Sequence, residues 1–121
     1  MLTFVVQRHH AKTLHYDFRL ERDGVLKSWA VPKGVPEKKG VKHLAVETDD
    51  HSLDYAEFEG ILPEGEYGAG RVEIFDRGTY EIEKWLPDRI IFSLDGSCLK
   101  GRYCMVRFKK AGEKNWLLFA L

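Results

Sequence analysis

From residue 14 onward, most of the chain consists of short segments in which apolar and polar residues alternate, separated by breaks that contain glycine. Alternation with a period of two is typical of strands that are buried on one face. The two clearest segments, residues 14–20 and 25–31, flank Asp23-Gly24, a dipeptide favoured in two-residue hairpin turns. We therefore predict a β-hairpin over residues 14–31.

Further strand candidates lie at residues 43–47, 72–75, 79–85, 89–94, 98–108 and 116–121. Asp76-Arg77-Gly78 is predicted to separate two of them, and the proline and glycines of residues 60–70 interrupt regular structure. A single helical turn is expected near residues 55–58. Short strands at this spacing indicate an antiparallel barrel or sandwich with little helix.

The bulk composition fits one domain with one core. The 121 residues are 44% hydrophobic and 31% charged, and no apolar run approaches the roughly 20 residues that a membrane span needs. Cys98 and Cys104 would lie roughly 20 Å apart on one continuous strand, too far for a disulfide. We expect a soluble, cytoplasmic protein with free thiols, no secretory leader and no membrane partner.

Charge is distributed in blocks, although the formal net charge is zero. Residues 1–43 carry nine Lys/Arg against four Asp/Glu, residues 44–76 carry one against ten, and residues 77–121 carry nine against five. Such blocks are compatible with solvated faces and equally with a basic groove for nucleic acid. The charge pattern leaves both interpretations open.

One strand face combines three reactive side chains. In residues 14–20 the apolar residues share one face, which leaves His15, Asp17 and Arg19 on the other. An imidazole and a carboxylate two residues apart can converge on a divalent ion, and a guanidinium binds phosphate through paired hydrogen bonds. The pattern indicates a site for a metal and a phosphate, although a polar face exposed to water has the same pattern.

Two protein ligands are too few for such a metal site. A third has to come from His9, His10, His43 or His51, and the spacing leaves this choice open. All five histidines lie within the first 51 residues, which favours a functional cluster. Because imidazole binds metal only when it is neutral, metal binding is expected to weaken at acid pH.

Several longer runs of residues, spread over nearly the whole chain, are also informative. They comprise residues 4–21, residues 24–34, Asp50-His51, Asp54-Tyr55, Phe58-Glu59-Gly60, Pro63-Glu64-Gly65, Tyr67-Gly68-Ala69-Gly70 and Trp116-Leu117-Leu118. Together these runs closely resemble the 3′-phosphoesterase domain found in bacterial DNA ligase D and as stand-alone archaeal proteins. Several motifs of this length do not coincide by chance.

The resemblance implies a small antiparallel β-barrel of about eight strands, with residues 1–121 forming a single 3′-phosphoesterase domain. It also implies a Mn²⁺-dependent enzyme of DNA end repair, for which Zn²⁺ or Co²⁺ are other candidate ions. The expected substrate is a DNA primer-template with a 3′-ribonucleotide or 3′-phosphate end. A phosphodiesterase step would release the terminal nucleoside, and a phosphomonoesterase step would leave a 3′-OH. We expect a monomer that works with a separate DNA ligase and polymerase or primase.

By position, the resemblance implies that His9, His15 and Asp17 bind the metal. Arg19 and His51 correspond to groups that grip the scissile phosphate. We expect His51 either to bind the phosphate or to protonate the leaving oxygen.

Two further residues complete the predicted catalytic set. Tyr55 is a candidate beside the phosphate. His43 stands where many bacterial members have arginine. Histidine offers fewer donors and is partly neutral near pH 7, so phosphate binding is expected to depend more on pH, with His43 as a candidate proton donor.

Two other functions are compatible with parts of the pattern. His15, Asp17 and the distant His51 match the ligand set of a non-haem iron oxygenase. A non-catalytic nucleic-acid-binding module would instead use the basic blocks and stack bases on aromatic residues. The candidates for stacking are Trp29, Tyr67 and Trp85, and the glycines of residues 65–70 are candidates for cradling a phosphate.

Overall fold

A computed structural model of the chain describes residues 1–63 and 69–121. Its strands are β1 (Leu2–His10), β2 (Leu14–Arg22), β3 (Val25–Val31), β4 (Lys42–His51), β5 (Gly60–Leu62), β6 (Gly70–Leu86), β7 (Arg89–Gly96), β8 (Lys100–Arg107) and β9 (Asn115–Ala120). Two short 3-10 helices cover Leu53–Glu57 and Lys109–Ala111. No helix in the described ranges is long and apolar enough to cross a membrane.

Eight of the strands close into an antiparallel barrel in the order β1-β2-β3-β4-β9-β8-β7-β6, and β6 pairs back with β1. The short β5 pairs with the start of β6 at the edge that β7 leaves free. The predicted eight-stranded antiparallel barrel is confirmed, and the sandwich that the strand spacing also allowed is excluded. The predicted helical turn is present as the 3-10 helix Leu53–Glu57.

The barrel interior is filled by apolar side chains, as expected for a ring of eight strands. The large residues Phe4, Phe18, Phe92 and Met105 are completely buried there. Trp29 belongs to the same cluster and is only 2% exposed, so its ring is not available for stacking on a nucleic-acid base.

The predicted hairpin is confirmed as β2 and β3. Asp23 and Gly24 have φ values of 54° and 81°, the positive values that a type I′ turn requires at both central residues. Along β2, Phe18 and Leu20 point into the barrel, while His15 and Asp17 point outward. The barrel wall therefore presents the reactive face of β2 on its outer surface.

The predicted break at Asp76-Arg77-Gly78 is wrong, because β6 continues through it. Asp76 is buried and accepts hydrogen bonds from the backbone N–H groups of Ser97, Cys98 and Leu99 in the turn between β7 and β8. A Cβ atom at Gly78 would lie 2.1 Å from the carbonyl oxygen of Asp95 on β7. The aspartate and the glycine serve contacts with the neighbouring strand rather than a turn.

The strand β1 was not predicted. It begins with a nearly continuous apolar run, because both of its faces are covered. Such a run does not show the alternation of apolar and polar residues by which the other strands were predicted. Phe4 and Val6 lie in the barrel core, while Val5 packs outside the barrel with Leu26 and Ala56. Residues 53–58, which we call the covering segment, thus close over the outer faces of β1 and β3.

A candidate metal and phosphate site on the outer wall of the barrel

The candidate metal ligands meet across the β1–β2 pair. His9 on β1 is the direct cross-strand partner of His15 on β2, and their rings lie 4.8 Å apart in an edge-to-face arrangement. The Nε2 atom of His15 lies 3.3 Å from Oδ1 of Asp17, and Nδ1 of His9 lies 3.6 Å from Oδ2 of the same carboxylate. Each oxygen of the Asp17 carboxylate therefore lies close to one imidazole nitrogen.

These three residues have the donor types and spacing that a divalent ion needs. One donor atom from each lies within 4.8 Å of the others, and two donors on opposite sides of an ion stand about 4.4 Å apart for bonds of about 2.2 Å. The Nδ1 of His15 faces the backbone carbonyl of Thr13 at 3.3 Å. Because a carbonyl can only accept, Nδ1 carries the proton in this contact and the lone pair of a neutral ring is left on Nε2, facing the cluster.

The cluster favours an ionised Asp17. Burial alone would raise the pKa of this carboxyl group, but it is lowered below its ordinary value by the hydrogen bond that His15 donates when Nε2 is protonated, and by the charge of Arg19. The same hydrogen bond to Asp17 raises the pKa of His15. A proton and a metal ion therefore compete for the same face of His15.

Arg19 lies beside this cluster, buried to 4% exposure. Its Nε donates to Oε1 of Gln7 at 2.7 Å, and its Nη1 donates to Oγ of Ser28 at 2.8 Å. Its Nη2 lies 3.5 Å from Asp17. Burial lowers the pKa of the guanidinium, but an arginine remains charged at neutral pH. Nε and one N–H group of Nη1 thus have hydrogen-bond acceptors, and Nη2 faces Asp17 next to the candidate metal ligands.

His51 and Tyr55 approach Arg19 from the covering side. Their rings lie 4.4 Å apart, and the guanidinium carbon of Arg19 lies 4.9 Å from the centre of the Tyr55 ring. Burial and then the charge of Arg19 lower the pKa of His51, so its imidazole is neutral at neutral pH. Burial raises the pKa of Tyr55, which keeps its hydroxyl protonated.

The remaining two histidines lie apart from these contacts. Nδ1 of His43 donates to the carbonyl of Gly34 at 2.6 Å, and His43 shares the inner face of β4 with the core residue Ala45. Nε2 of His10 lies 2.8 Å from Glu73. The catalytic role of His43 stays a prediction, and the hydrogen bond it makes does not connect it to Arg19.

The iron-oxygenase hypothesis required His51 as the third ligand of His15 and Asp17. Within the described ranges, the group of possible metal ligands contains His9 in place of His51, and the ring of His51 packs against that of Tyr55 at 4.4 Å. The proposed phosphate-cradling loop and Tyr67 cannot be placed, because residues 64–68 lie outside the described part of the chain.

Two buried polar residues of the site were not predicted from sequence. Gln7 is completely buried and Ser28 is 1% exposed, and both hold Arg19. A glutamine within an apolar run was the available signal for Gln7, but only the prediction of β1 would have placed it opposite Asp17.

A donor group of two histidines and one carboxylate beside a buried guanidinium defines a candidate metal-dependent site for a phosphate ester. Comparisons with known proteins identify the family. The family model of the DNA ligase D 3′-phosphoesterase domain matches residues 7–107. The chain belongs to this family.

Full-length relatives carry the same domain within much longer chains. The chain is 57% identical, over 98% of its length, to the multifunctional non-homologous end joining protein LigD of Mycobacterium bovis. It is 50% identical over 94% of its length to LigD of Mycolicibacterium smegmatis, and 48% identical over 98% to LigD of Pseudomonas aeruginosa. The chain spans only 15–16% of the length of these relatives.

Proposed function

We propose that this domain is a Mn²⁺-dependent phosphoesterase that heals DNA 3′ ends during non-homologous end joining. Its phosphodiesterase activity would remove a terminal 3′-ribonucleoside, and its phosphomonoesterase activity would then remove the 3′-phosphate to leave a 3′-OH. The observation that carries the proposal is the grouping of His9, His15 and Asp17 next to the buried Arg19. Membership of the 3′-phosphoesterase family supports it.

His9, His15 and Asp17 would hold the metal ion. The donor set suits Mn²⁺ and also Zn²⁺ or Co²⁺, and three protein ligands leave positions open for substrate and water. When bound, the ion supplies Lewis-acid polarisation of the phosphate and activation of water. The proposed active form is a monomer.

Arg19 would bind the non-bridging oxygens of the scissile phosphate. Gln7 and Ser28 occupy two of its N–H groups, so the guanidinium cannot rotate freely and its remaining donors keep one direction. A preorganised charged donor stabilises negative charge that builds up in the transition state without reorganising first. Arg19 thus contributes both binding and catalysis.

His51 would assist the leaving oxygen. Its pKa is lowered while the phosphate is absent, because it is partly buried and faces Arg19. A bound phosphate adds negative charge, which raises the pKa of a nearby imidazole and favours its protonated form. His51 can then donate a hydrogen bond or a proton, and the protonated hydroxyl of Tyr55 can donate to the same phosphate.

The test is a Mn²⁺ titration with an end-labelled DNA primer-template that carries one 3′-ribonucleotide. Products ending in 3′-phosphate and 3′-OH are resolved on a denaturing gel. We expect the 3′-phosphate product first and the 3′-OH product later, both dependent on Mn²⁺. Binding of the DNA without either product would support the non-catalytic alternative and reject the proposal. A separate ligase then tests whether the healed end can be sealed, as expected for its proposed partner.

A further inference from the structure

Gln7 uses all of its hydrogen-bonding groups inside the site. Its side chain is completely buried, and its Oε1 accepts the Nε–H of Arg19 at 2.7 Å. Its Nε2 donates to the backbone carbonyls of Tyr55 and Phe58, at 2.9 and 3.2 Å. One amide therefore joins the guanidinium of Arg19 to the covering segment.

The amide of Gln7 has only one favourable orientation here. A flipped amide would turn its NH₂ group toward the guanidinium and its oxygen toward two carbonyl oxygens, so that donors face donors and acceptors face acceptors. The two carbonyls thereby determine where Oε1 lies, and Oε1 in turn determines the direction of Nε in Arg19. The position of the covering segment is transmitted to the guanidinium through one side chain.

The covering segment also contacts Arg19 directly. The Tyr55 ring lies 4.9 Å from its guanidinium carbon, and Phe58 stacks on Tyr55 at 4.9 Å with an angle of 12° between the rings. Ser28 supports Arg19 differently, because its hydroxyl donates to the carbonyl of Leu26 on its own strand. Of these two supports, only Gln7 bonds to the segment that carries Tyr55.

We propose that Gln7 is a positioning residue that aligns Arg19 on the phosphate and couples this alignment to Tyr55 and the covering segment. The inference rests on the proposed phosphoesterase function. Gln7 acts through Arg19 and is not assigned to the metal, so its loss should weaken phosphate processing much more than metal binding.

The principal variant is Gln7→Met, which keeps a similar volume and removes all three hydrogen bonds. We expect kcat/KM on a 3′-phosphate primer-template to fall by about 10- to 100-fold, as for other residues that orient a catalytic group. Mn²⁺ affinity, measured by the loss of the free-ion electron paramagnetic resonance signal, should stay within about threefold of wild type. An activity equal to wild type, or an equal loss of Mn²⁺ affinity, overturns the inference.

A double-mutant cycle separates positioning from a general structural role. In an Arg19→Lys background the partner of Gln7 is already altered, so Gln7→Met should lower kcat/KM far less than it does in the wild-type background. Losses that multiply fully contradict action through Arg19. If Gln7→Met does not fold, the cycle is repeated with Gln7→Asn, which keeps the amide but is one methylene group too short to span both contacts.

Failure of this inference is distinguishable from failure of the proposed function. A wild-type domain that hydrolyses neither 3′-phosphate nor 3′-ribonucleotide ends rejects the function. An active wild-type domain with an equally active Gln7→Met variant rejects only the positioning role.

Discussion

At the scale of single residues, the site depends on an arginine that is charged and nearly inaccessible to solvent. Burying a charge is costly unless hydrogen bonds and an opposite charge compensate it. Gln7, Ser28 and Asp17 supply this compensation for Arg19. The resulting rigidity restricts its remaining donors to one direction, which is what recognition of a phosphate requires.

Arg19→Lys should therefore lower activity although it preserves the charge. A lysine ammonium cannot reproduce the planar fork or bond to Gln7 and Ser28 together. We expect kcat/KM on a 3′-phosphate primer-template to fall by about 10²- to 10³-fold, comparable to the loss of one preorganised donor. Steady-state kinetics measures this.

The matched control is Arg102→Lys on β8. Arg102 is exposed and pairs with Glu83 at 2.6 Å, outside the contacts of the site. This control should leave kcat/KM unchanged. An Arg19→Lys variant as active as the control would show that directional donors are not needed.

How much of the site could be predicted depends on how far apart in the sequence the contacting residues are. The common face of His15, Asp17 and Arg19 follows from alternation along one strand, which is local and visible in the sequence. The grouping of His9 with them requires the pairing of β1 with β2. The resemblance to the family supplied His9 as a metal ligand, but it did not predict this pairing. The burial of Gln7 depends on a covering segment about fifty residues away, which no local pattern reveals.

At the scale of elements, β6 shows that the same residue composition can occur in a turn and within a continuous strand. Asp76-Arg77-Gly78 has the composition of a turn, yet the strand continues and the aspartate caps a turn between two other strands. Most predicted strands are confirmed because hairpins with alternating faces are specified locally. The wrong break in β6 concerns residues whose partners are distant in sequence. The strand β1 pairs with β2 across only residues 11–13, and it was missed because its apolar run hides the alternation of a strand.

Asp76→Ala should destabilise the domain strongly. It leaves the N–H groups of Ser97, Cys98 and Leu99 without their acceptor, and the Leu99 group is buried. A hydrogen bond to a charged group contributes about 1.5–3 kcal/mol. We expect the free energy of unfolding to fall by about 3 kcal/mol or more, measured by urea denaturation.

Asp88→Ala provides the comparison for Asp76. Asp88 is exposed in the turn between β6 and β7, and its loss should change stability by no more than about 0.5 kcal/mol. Equal effects of the two substitutions would contradict the capping role of Asp76.

At the scale of the whole molecule, closure of the barrel separates the residues that stabilise the fold from those that form the candidate site. The interior holds apolar side chains and stabilises the fold, while the site uses the outer face of β1 and β2. Polar groups can therefore be placed in the site without entering the core.

Tyr80 carries a polar group at the edge of the core. It is 2% exposed, and its hydroxyl donates to the backbone carbonyl of Glu21.

Tyr80 should make the barrel sensitive to alkali. Burial raises the pKa of its hydroxyl well above the ordinary value, so above about pH 10 the unfolded chain loses this proton more readily than the folded one. Stability is fully present below the unfolded pKa and falls as the pH rises toward the folded one. Urea denaturation between pH 8 and about pH 11 should show this decline.

Tyr80→Phe should be less stable than wild type at pH 8 by about 1 kcal/mol, through the lost hydrogen bond. It should then lose less additional stability at high pH, with a residual slope from Tyr103, Tyr55 and Cys104, whose pKa values burial also raises. A variant with the same alkaline slope as wild type would argue against Tyr80 as the source.

The central claim is that His9, His15 and Asp17 hold the ion on which hydrolysis depends. The most direct measurement compares His15→Ala and Asp17→Ala with His10→Ala, a neighbouring histidine that pairs with Glu73 instead, on labelled 3′-phosphate and 3′-ribonucleotide primer-templates in saturating Mn²⁺. We predict that both reactions fall by about 100-fold or more in the first two variants and stay within about threefold of wild type in the third. Near-normal hydrolysis by His15→Ala and Asp17→Ala would contradict the metal site.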